Sequence, residues 1–505
     1  MTNQLSPALI LGILAAYFSM LLLISYFTGK DSSNDSFFLA KHKSPWYLVA
    51  FGMIGASISG VSFISVPGEV YYNKFAYFQL VLGYLVGYFT IAMVLMPLYY
   101  RLQLTSIYTY FEGRFGKVSY KTGSAFFLLS RSVGSALRLY LMAIVLQTFV
   151  MEAFGVPFWL TVLVTIFLIW TYTFKGGIRT IVFTDTFQTF FLLTALVMTV
   201  VLVIKNIDLT FGQLIDSLFE SGLTKTFYFD DPVSDKLYFW KQFLGGAAIA
   251  VTMSGMDQDI MQKNLTCKNI GEAKKNMFWF STLLVVVNLL FLLLGALLYI
   301  YVAEADSVDL PVRIVNGDVR IATDLVYPTI ALKYLPPIVG IFFILGIIAS
   351  TYASSDSALA ALTTAFCIDF LNFDKRAEKG EDTVRIRHMV HIGFSLLLFL
   401  IVLLFWFWND QTVIYLVLRL AGFTYGPLLG LFAFGLLTKR PVRDKLVPVI
   451  CLLSPVLTYL IDLNSKTLFN GYVFSYELLL VNGLITFAGL ALLSVGSVGK
   501  TMVND

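Results

Sequence analysis

The chain has 505 residues, 58% of them hydrophobic and only 13% charged, with a mean hydropathy of +0.79 and a formal net charge of +4. A water-soluble fold of this length needs far more charge to cover its surface and is excluded. The small positive balance singles out no nucleic-acid partner, and the isolated cysteines Cys267, Cys367 and Cys451 lack disulfide or metal-ligand spacing and read as apolar fillers.

About 20 apolar residues cross a bilayer as a helix. The pattern recurs and predicts thirteen spans, at 6–28, 46–71, 75–100, 122–152, 157–174, 182–204, 240–262, 277–302, 338–370, 388–408, 411–437, 446–462 and 472–496. An odd number puts the termini on opposite sides. With the N-terminus outside, the inner loops collect 23 of the 35 basic residues, Lys30, Lys175, Lys263, Arg387 and Lys500 among them, and the outer side collects nine. The excess of inner positive charge sets the orientation. The expectation is a multi-pass protein of the cell inner (plasma) membrane with a cytoplasmic C-terminus, functioning as a monomer. Arg131, Arg138 and Arg419 are left at membrane depth.

In chain order, the first span is plainly apolar and the second is not. "GASISGVSFISVPGEVY" (55–71) places Ser57, Ser59 and Ser62 among glycines in the middle of an apolar run. The fourth span carries Arg131 and Arg138, seven residues and two turns apart, hence on one face. The seventh span is interrupted in the same manner as the second, by "AVTMSGMDQDIMQ" (250–262). Glycine-broken spans at matching places, five spans apart, point to an inverted repeat with a binding site at the midplane. Unwound backbone at that depth needs another partner for its carbonyls, and a cation supplies one. Close helix packing on small residues is the alternative. Two outer loops, 205–239 and 303–337, are long, and 322–335 has helical periodicity suited to folding over an outer vestibule. His42, His388 and His391 fall near inner loop ends, where solvation is the simplest reading.

Four stretches together resemble the sodium/solute symporter family, which includes sodium-coupled galactose, proline, sialic acid, iodide and monocarboxylate transporters. They are "TFKGGIRTIVFTDTFQ" (173–188), "SGMDQDIMQKNLTCKNIGEAKK" (254–275), "ASTYASSDSALAALTTAFCIDF" (349–370) and "LRLAGFTYGPLLGLFAFGLL" (418–437). The opening serine-rich stretch is most similar to the sialic-acid and monocarboxylate branches. The resemblance implies an all-α polytopic membrane protein of the LeuT type, a five-plus-five inverted repeat with extra flanking helices. The flanking helix would be 6–28, the first core repeat 46–204, the second 240–437, and further flanking helices would lie in 446–496. It implies sodium-coupled symport of a small solute by alternating access, with Na+ as the coupling ion, one or two per cycle, and no other cofactor.

By the same resemblance, the main sodium site takes the carbonyls of Gly55, Ile58 and Ser350 and the hydroxyl of Ser354. The chain departs from the family at the neighbouring hydroxyl position, which is Ala353; Ser57 or Ser355 would have to compensate. Asp185, Asp356 and Ser357 match a second ion site. A buried carboxylate is costly unless paired or coordinating, so Asp356 serves a second sodium, a proton, or a structural pair with an arginine. The candidate solute-binding residues are Ser57, Ser59, Ser62, Gln79, Arg138 and Arg419. Arginine at membrane depth favours an anionic solute, a carboxylate or a sialic-acid-like molecule. The open alternative is internal pairing of Arg138 with Asp257 or Asp356, while Arg131 could snorkel to the interface. Ala250, Leu418 and Met253 stand where galactose carriers place amides and an aromatic gate, which weakens a sugar or polyol as solute. A pump would need a phosphate-cradling G-x-x-x-x-G-K-[ST] loop. A channel would need a filter segment, a sensor a signalling domain, and an enzyme a catalytic constellation. None of these is visible.

Overall fold

The computed structural model describes residues 6–28, 33–174, 177–207, 209–305, 308–315, 318–408 and 413–494. Lys30, Lys175, Lys500 and the start of the eleventh expected span lie outside them. Among the described residues eight helices are long and apolar enough to cross a membrane: Ala8–Thr28, Tyr77–Arg101, Lys117–Phe154, Gly177–Asn206, Ile270–Glu304, Pro337–Phe370, Thr383–Phe407 and Asp444–Leu463. Two bent pairs bring the number to ten. Trp46–Ser57 and Gly60–Asn73 meet at 56°, and Tyr415–Thr424 and Gly426–Leu437 at 45°. The remaining three expected spans are shorter helices, Phe158–Thr173, Phe239–Ala250 continued by Gln258–Leu265, and Leu478–Leu492. Each of the thirteen expected segments is therefore helical, because a helix satisfies its own backbone where no water can.

The two glycine-broken spans are broken where the sequence suggested. In the second span the helix ends at Ile58 (φ −85°, ψ 83°) and restarts after Ser59 (φ −72°, ψ 169°). In the seventh, a π-helical turn, Val251–Gly255, runs into Met256 and an extended Asp257 (φ −111°, ψ 125°) before Gln258–Leu265. The outer loops hold structure that periodicity did not reveal. Phe211–Glu220 is a helix with a reciprocal cap between Thr210 and Gln213, and Val312–Val315 pairs antiparallel with Asp318–Ile321. The expected helix in 322–335 is Thr323–Thr329 followed by a π-helical turn, Ile330–Tyr334. It docks on the outer half of the second span, where Ser65 donates to Asp324 at 2.5 Å.

Three residues expected in or near loops, His391 as a solvated side chain and Arg387 and Lys263 as loop charges, are buried. His391 bonds Thr173 and Thr363 at 3.0 and 2.9 Å. Arg387 reaches Asn34 Oδ1 at 2.8 Å and covers the Phe37 ring. Lys263 is 1% exposed and sits inside the helical bundle. The helices extend further inward than apolar runs indicate, because internal partners compensate the polar side chains.

Candidate functional site

The second-span break is held between the sixth and ninth spans. Gly52 lies against Asp185, so close that a Cβ there would stand 2.9 Å from the aspartate Cβ. The Gly55 N–H donates to Thr189 Oγ1 at 3.0 Å. Gly60, just past the break, faces Thr351 and Ser350; a Cβ would fall 2.2 Å from Thr351 Oγ1. The structure thus seats the break between Thr189 of the sixth span, against Gly55, and Ser350 and Thr351 of the ninth, against Gly60.

The two breaks differ in how their backbone is satisfied. At the seventh span, Tyr99 donates to the Gly255 carbonyl and Tyr108 to that of Met256, both at 2.9 Å. At the second span no side chain among the described residues donates to the carbonyls of Gly55 or Ile58. Thr351 Oγ1, Ser355 Oγ and Ser57 Oγ are buried without a hydrogen-bond partner. Ser354 and Ser350 turn their hydroxyls onto their own helix, to Thr351 and Ile347 carbonyls at 3.0 Å. Neutral oxygens free of other donors are what a hard cation such as sodium takes, and these residues fit it. Thr351 escaped the sequence reading, although it stands inside the same hydroxyl-rich run.

Asp185, Asp356 and Ser357 also come together. Asp185 and Asp356 are fully buried and within electrostatic reach of each other and of Lys263. Tyr172 donates to Asp356 Oδ2 at 2.9 Å, and the Ser357 N–H to its Oδ1 at 2.5 Å. No arginine among the described residues pairs with Asp356. Lys263 Nζ instead holds Asp185 Oδ2 at 2.6 Å, an interaction that an inner-loop lysine could not make. Gln188, beside them, has neither amide atom paired.

A cavity of about 100 Å³ opens above this region. Ser57, Ser59 and Ser62 line it, with Tyr77, Tyr84, Tyr88, Arg131 and Arg138. Ala250, Met253 and Leu418 supply apolar wall. Arg131 does not snorkel. It is 3% exposed and paired with Asp259 through Nη2 and with Asp257 at 3.7 Å. Tyr425 donates to the same Asp257 at 2.5 Å. Arg138, two turns along the same face, has no hydrogen bond or ion pair among the described residues. Of the internal partners considered for Arg138, Asp257 has gone to Arg131 and Asp356 accepts from Tyr172 and the Ser357 N–H, a division that two arginines on one face cannot reveal by spacing alone.

Two expected solute residues lie elsewhere. Arg419 lines a second cavity of about 490 Å³, beside Lys236 and Leu237 of the 205–239 loop, and pairs with Asp462 at 3.3 Å. Its neighbour Leu418 borders both spaces. Gln79 is committed to the outer loop: its amide donates to the Leu237 carbonyl at 2.8 Å and accepts from the Tyr228 N–H at 3.1 Å. Gln258 and Gln262 have a similar fastening role on the inner side, holding Thr105 and Phe38 carbonyls at 2.7 Å. Among the described residues no group of His, Cys, Asp and Glu could hold a metal ion in a cluster of three or more.

Comparison with known proteins agrees with this geometry. The chain is 24% identical over 459 residues to the sodium/sialic acid symporter NanT of Aliivibrio fischeri, covering 88% of this chain and 86% of that protein. It is 25% identical to the sodium/sialic acid symporter SiaT of Proteus mirabilis, covering 86% and 84%, and 25% identical to the sodium-coupled monocarboxylate transporter 1 of Mus musculus, covering 81% and 65%. A substrate-bound, outward-open structure of a Na+-coupled sialic acid symporter superimposes with a TM-score of 0.77 at 18% identity, over 96% of this chain and 97% of that one. The chain thus has the LeuT-type inverted-repeat fold. The family model described as the sodium:solute symporter family matches residues 37–444, and with the broken spans and the oxygen-lined pocket between them the chain belongs to that family.

Proposed function

We propose that this sodium-coupled symporter imports a small organic anion, a carboxylate or sialic-acid-like solute, with two sodium ions. Membership of the family makes the chain a membrane transporter and not an enzyme. The observation that carries the choice of solute is Arg138, a guanidinium at membrane depth that faces the cavity without a carboxylate partner among the described residues. An unpaired charge there is costly, and such residues mark pathways. A bidentate carboxylate satisfies the guanidinium fork. The sialic-acid and monocarboxylate carriers among the relatives support the same solute class.

Charge balance supports the stoichiometry. Among the described residues, the cations acting on Asp185, Asp257, Asp259 and Asp356 are Lys263, Arg131 and Arg138. Two sodium ions and one monoanion bring it to neutrality. The first sodium lies at the Gly55, Ile58, Ser350 and Ser354 oxygens, and the second at Asp185, Asp356 and Ser357. The core repeats 46–204 and 240–437 alternate access around these sites, and 6–28 and 446–496 flank them. The protein works as a monomer in the plasma membrane, with its N-terminus outside.

Uptake into proteoliposomes tests the reading. Carboxylates and neutral sugars are compared with inward sodium and with choline at fixed pH. Sodium-dependent uptake of a carboxylate is expected, and Asp356→Asn should lower the sodium Hill coefficient toward one. Equal uptake in choline, or preference for a neutral sugar, refutes it.

A further inference from the structure

Lys263 raises a question that the transport cycle has to answer. Its ammonium holds Asp185 Oδ2 at 2.6 Å, one of the carboxylates that the second sodium would take. The same ammonium is 3.8 Å from Asp259 Oδ1, one turn earlier on its own helix. Asp259 Oδ1 is buried and accepts no hydrogen bond among the described residues, and neither does Asp185 Oδ1. Two half-used carboxylates therefore flank one lysine, and a side-chain rotation of about an ångström or two would exchange its partner; long flexible lysine stems permit such a change.

We propose that Lys263 is a tethered cation that competes with sodium for Asp185 and that sodium binding drives it onto Asp259. This rests on the second sodium site proposed above. The exchange keeps every carboxylate partnered. Sodium replaces the ammonium at Asp185, with Asp356 completing its site, and the ammonium neutralises Asp259. Asp259 is also the principal partner of Arg131. Once Lys263 shares that carboxylate, its attraction for Arg131 falls. Arg131 borders the cavity beside Arg138, so its guanidinium gains freedom to meet an incoming anion. Sodium at the inner half of the bundle and the solute at the midplane are thereby linked through three adjoining side chains, each with two available partners. Such two-position elements, rather than distance alone, are what transmit coupling. Lys263 is a positioning residue in this scheme: it touches neither the solute nor the ion.

The test uses the purified full-length protein in nanodiscs and sodium alone as ligand. Sodium is titrated against choline at constant ionic strength, with the thermal unfolding midpoint as readout. Removing the competitor in Lys263→Met should lower the sodium concentration for half-effect by about tenfold or more, the least expected for a unit charge a few ångströms away at a protein's effective dielectric. Lys263→Arg keeps the charge and adds a better carboxylate fork, so it should raise that concentration. Opposite shifts distinguish competition from a purely structural pair, which would lower stability in both variants without moving the sodium titration in two directions. An unchanged or weakened sodium response in Lys263→Met overturns the proposal. If that variant does not fold, Lys263→Arg decides, and an unchanged midpoint there overturns it.

Asp259→Asn should weaken sodium binding, because the displaced lysine has nowhere to go, and its effect should vanish in the Lys263→Met background. Persistence in that background shows that Asp259 acts on sodium directly, and removes it from the exchange. Phenylglyoxal labelling of Arg131, quantified by mass spectrometry, should rise with sodium in the wild type but not in Lys263→Met. Labelling indifferent to sodium removes Arg131. Asp356→Asn separates the underlying reading: if it leaves the sodium titration untouched, the second site itself fails. If it removes one sodium while the Lys263 variants do nothing, only the exchange fails.

Discussion

Replacing Arg138 separates solute recognition from structural support, because its neighbour supplies an internal control. Arg131 is fastened to Asp257 and Asp259, whereas Arg138 has no such partner among the described residues. Arg138→Ala therefore breaks no ion pair and removes an unpaired charge at membrane depth, so the unfolding midpoint should hold or rise. Solute binding should suffer instead. Hydrogen bonds to a charged group are worth about 1.5–3 kcal/mol each, so loss of one arm of the fork in Arg138→Lys should weaken affinity about ten- to hundredfold, and Arg138→Ala more. The assay is a thermal-shift titration in nanodiscs with N-acetylneuraminate and with lactate, at saturating sodium, alongside sodium alone. Sodium-dependent stabilisation without solute should survive both changes. If Arg138→Ala destabilises the protein by several kcal/mol while affinity for the transported carboxylate is intact, Arg138 is structural and the argument for an anionic solute loses its main support.

Arg131→Met should destabilise by about 3–5 kcal/mol, since it strands two buried aspartates, and a second change, Asp259→Asn, should recover part of the loss in the same denaturation assay. Gly60→Ala should push Thr351 and the second span apart and raise the sodium concentration for half-maximal uptake; an unaltered sodium dependence would place the main ion site away from this contact. Gln79→Ala removes two bonds to the outer loop and should cost about 1–3 kcal/mol of stability with solute affinity unchanged. Loss of affinity at full stability would return Gln79 to the solute site.

The sequence by itself determined the membrane class, the thirteen helical segments and the two interruptions. These are local consequences of chemistry: long apolar runs have no other stable form in a bilayer, and glycine beside polar residues loosens a helix wherever it falls. Its resemblance to the symporter family also marked the hydroxyl-rich run at 350–357 and the acids Asp185 and Asp356. Partner choice was not legible in it. Lys263 stands near an apolar span's end and reads as a loop charge until the sixth span brings Asp185 within 2.6 Å. Arg131 and Arg138 share a helical face, yet only the packing of the broken seventh span gives Asp257 and Asp259 to the first and leaves the second to the cavity. Arg419 and Gln79 lie on the right helices but at heights where Asp462 and the outer loop engage them. Helix formation depends on neighbours a few residues away, whereas the pairing of buried charges depends on which helices cross at which depth, and that is decided by the tertiary structure alone.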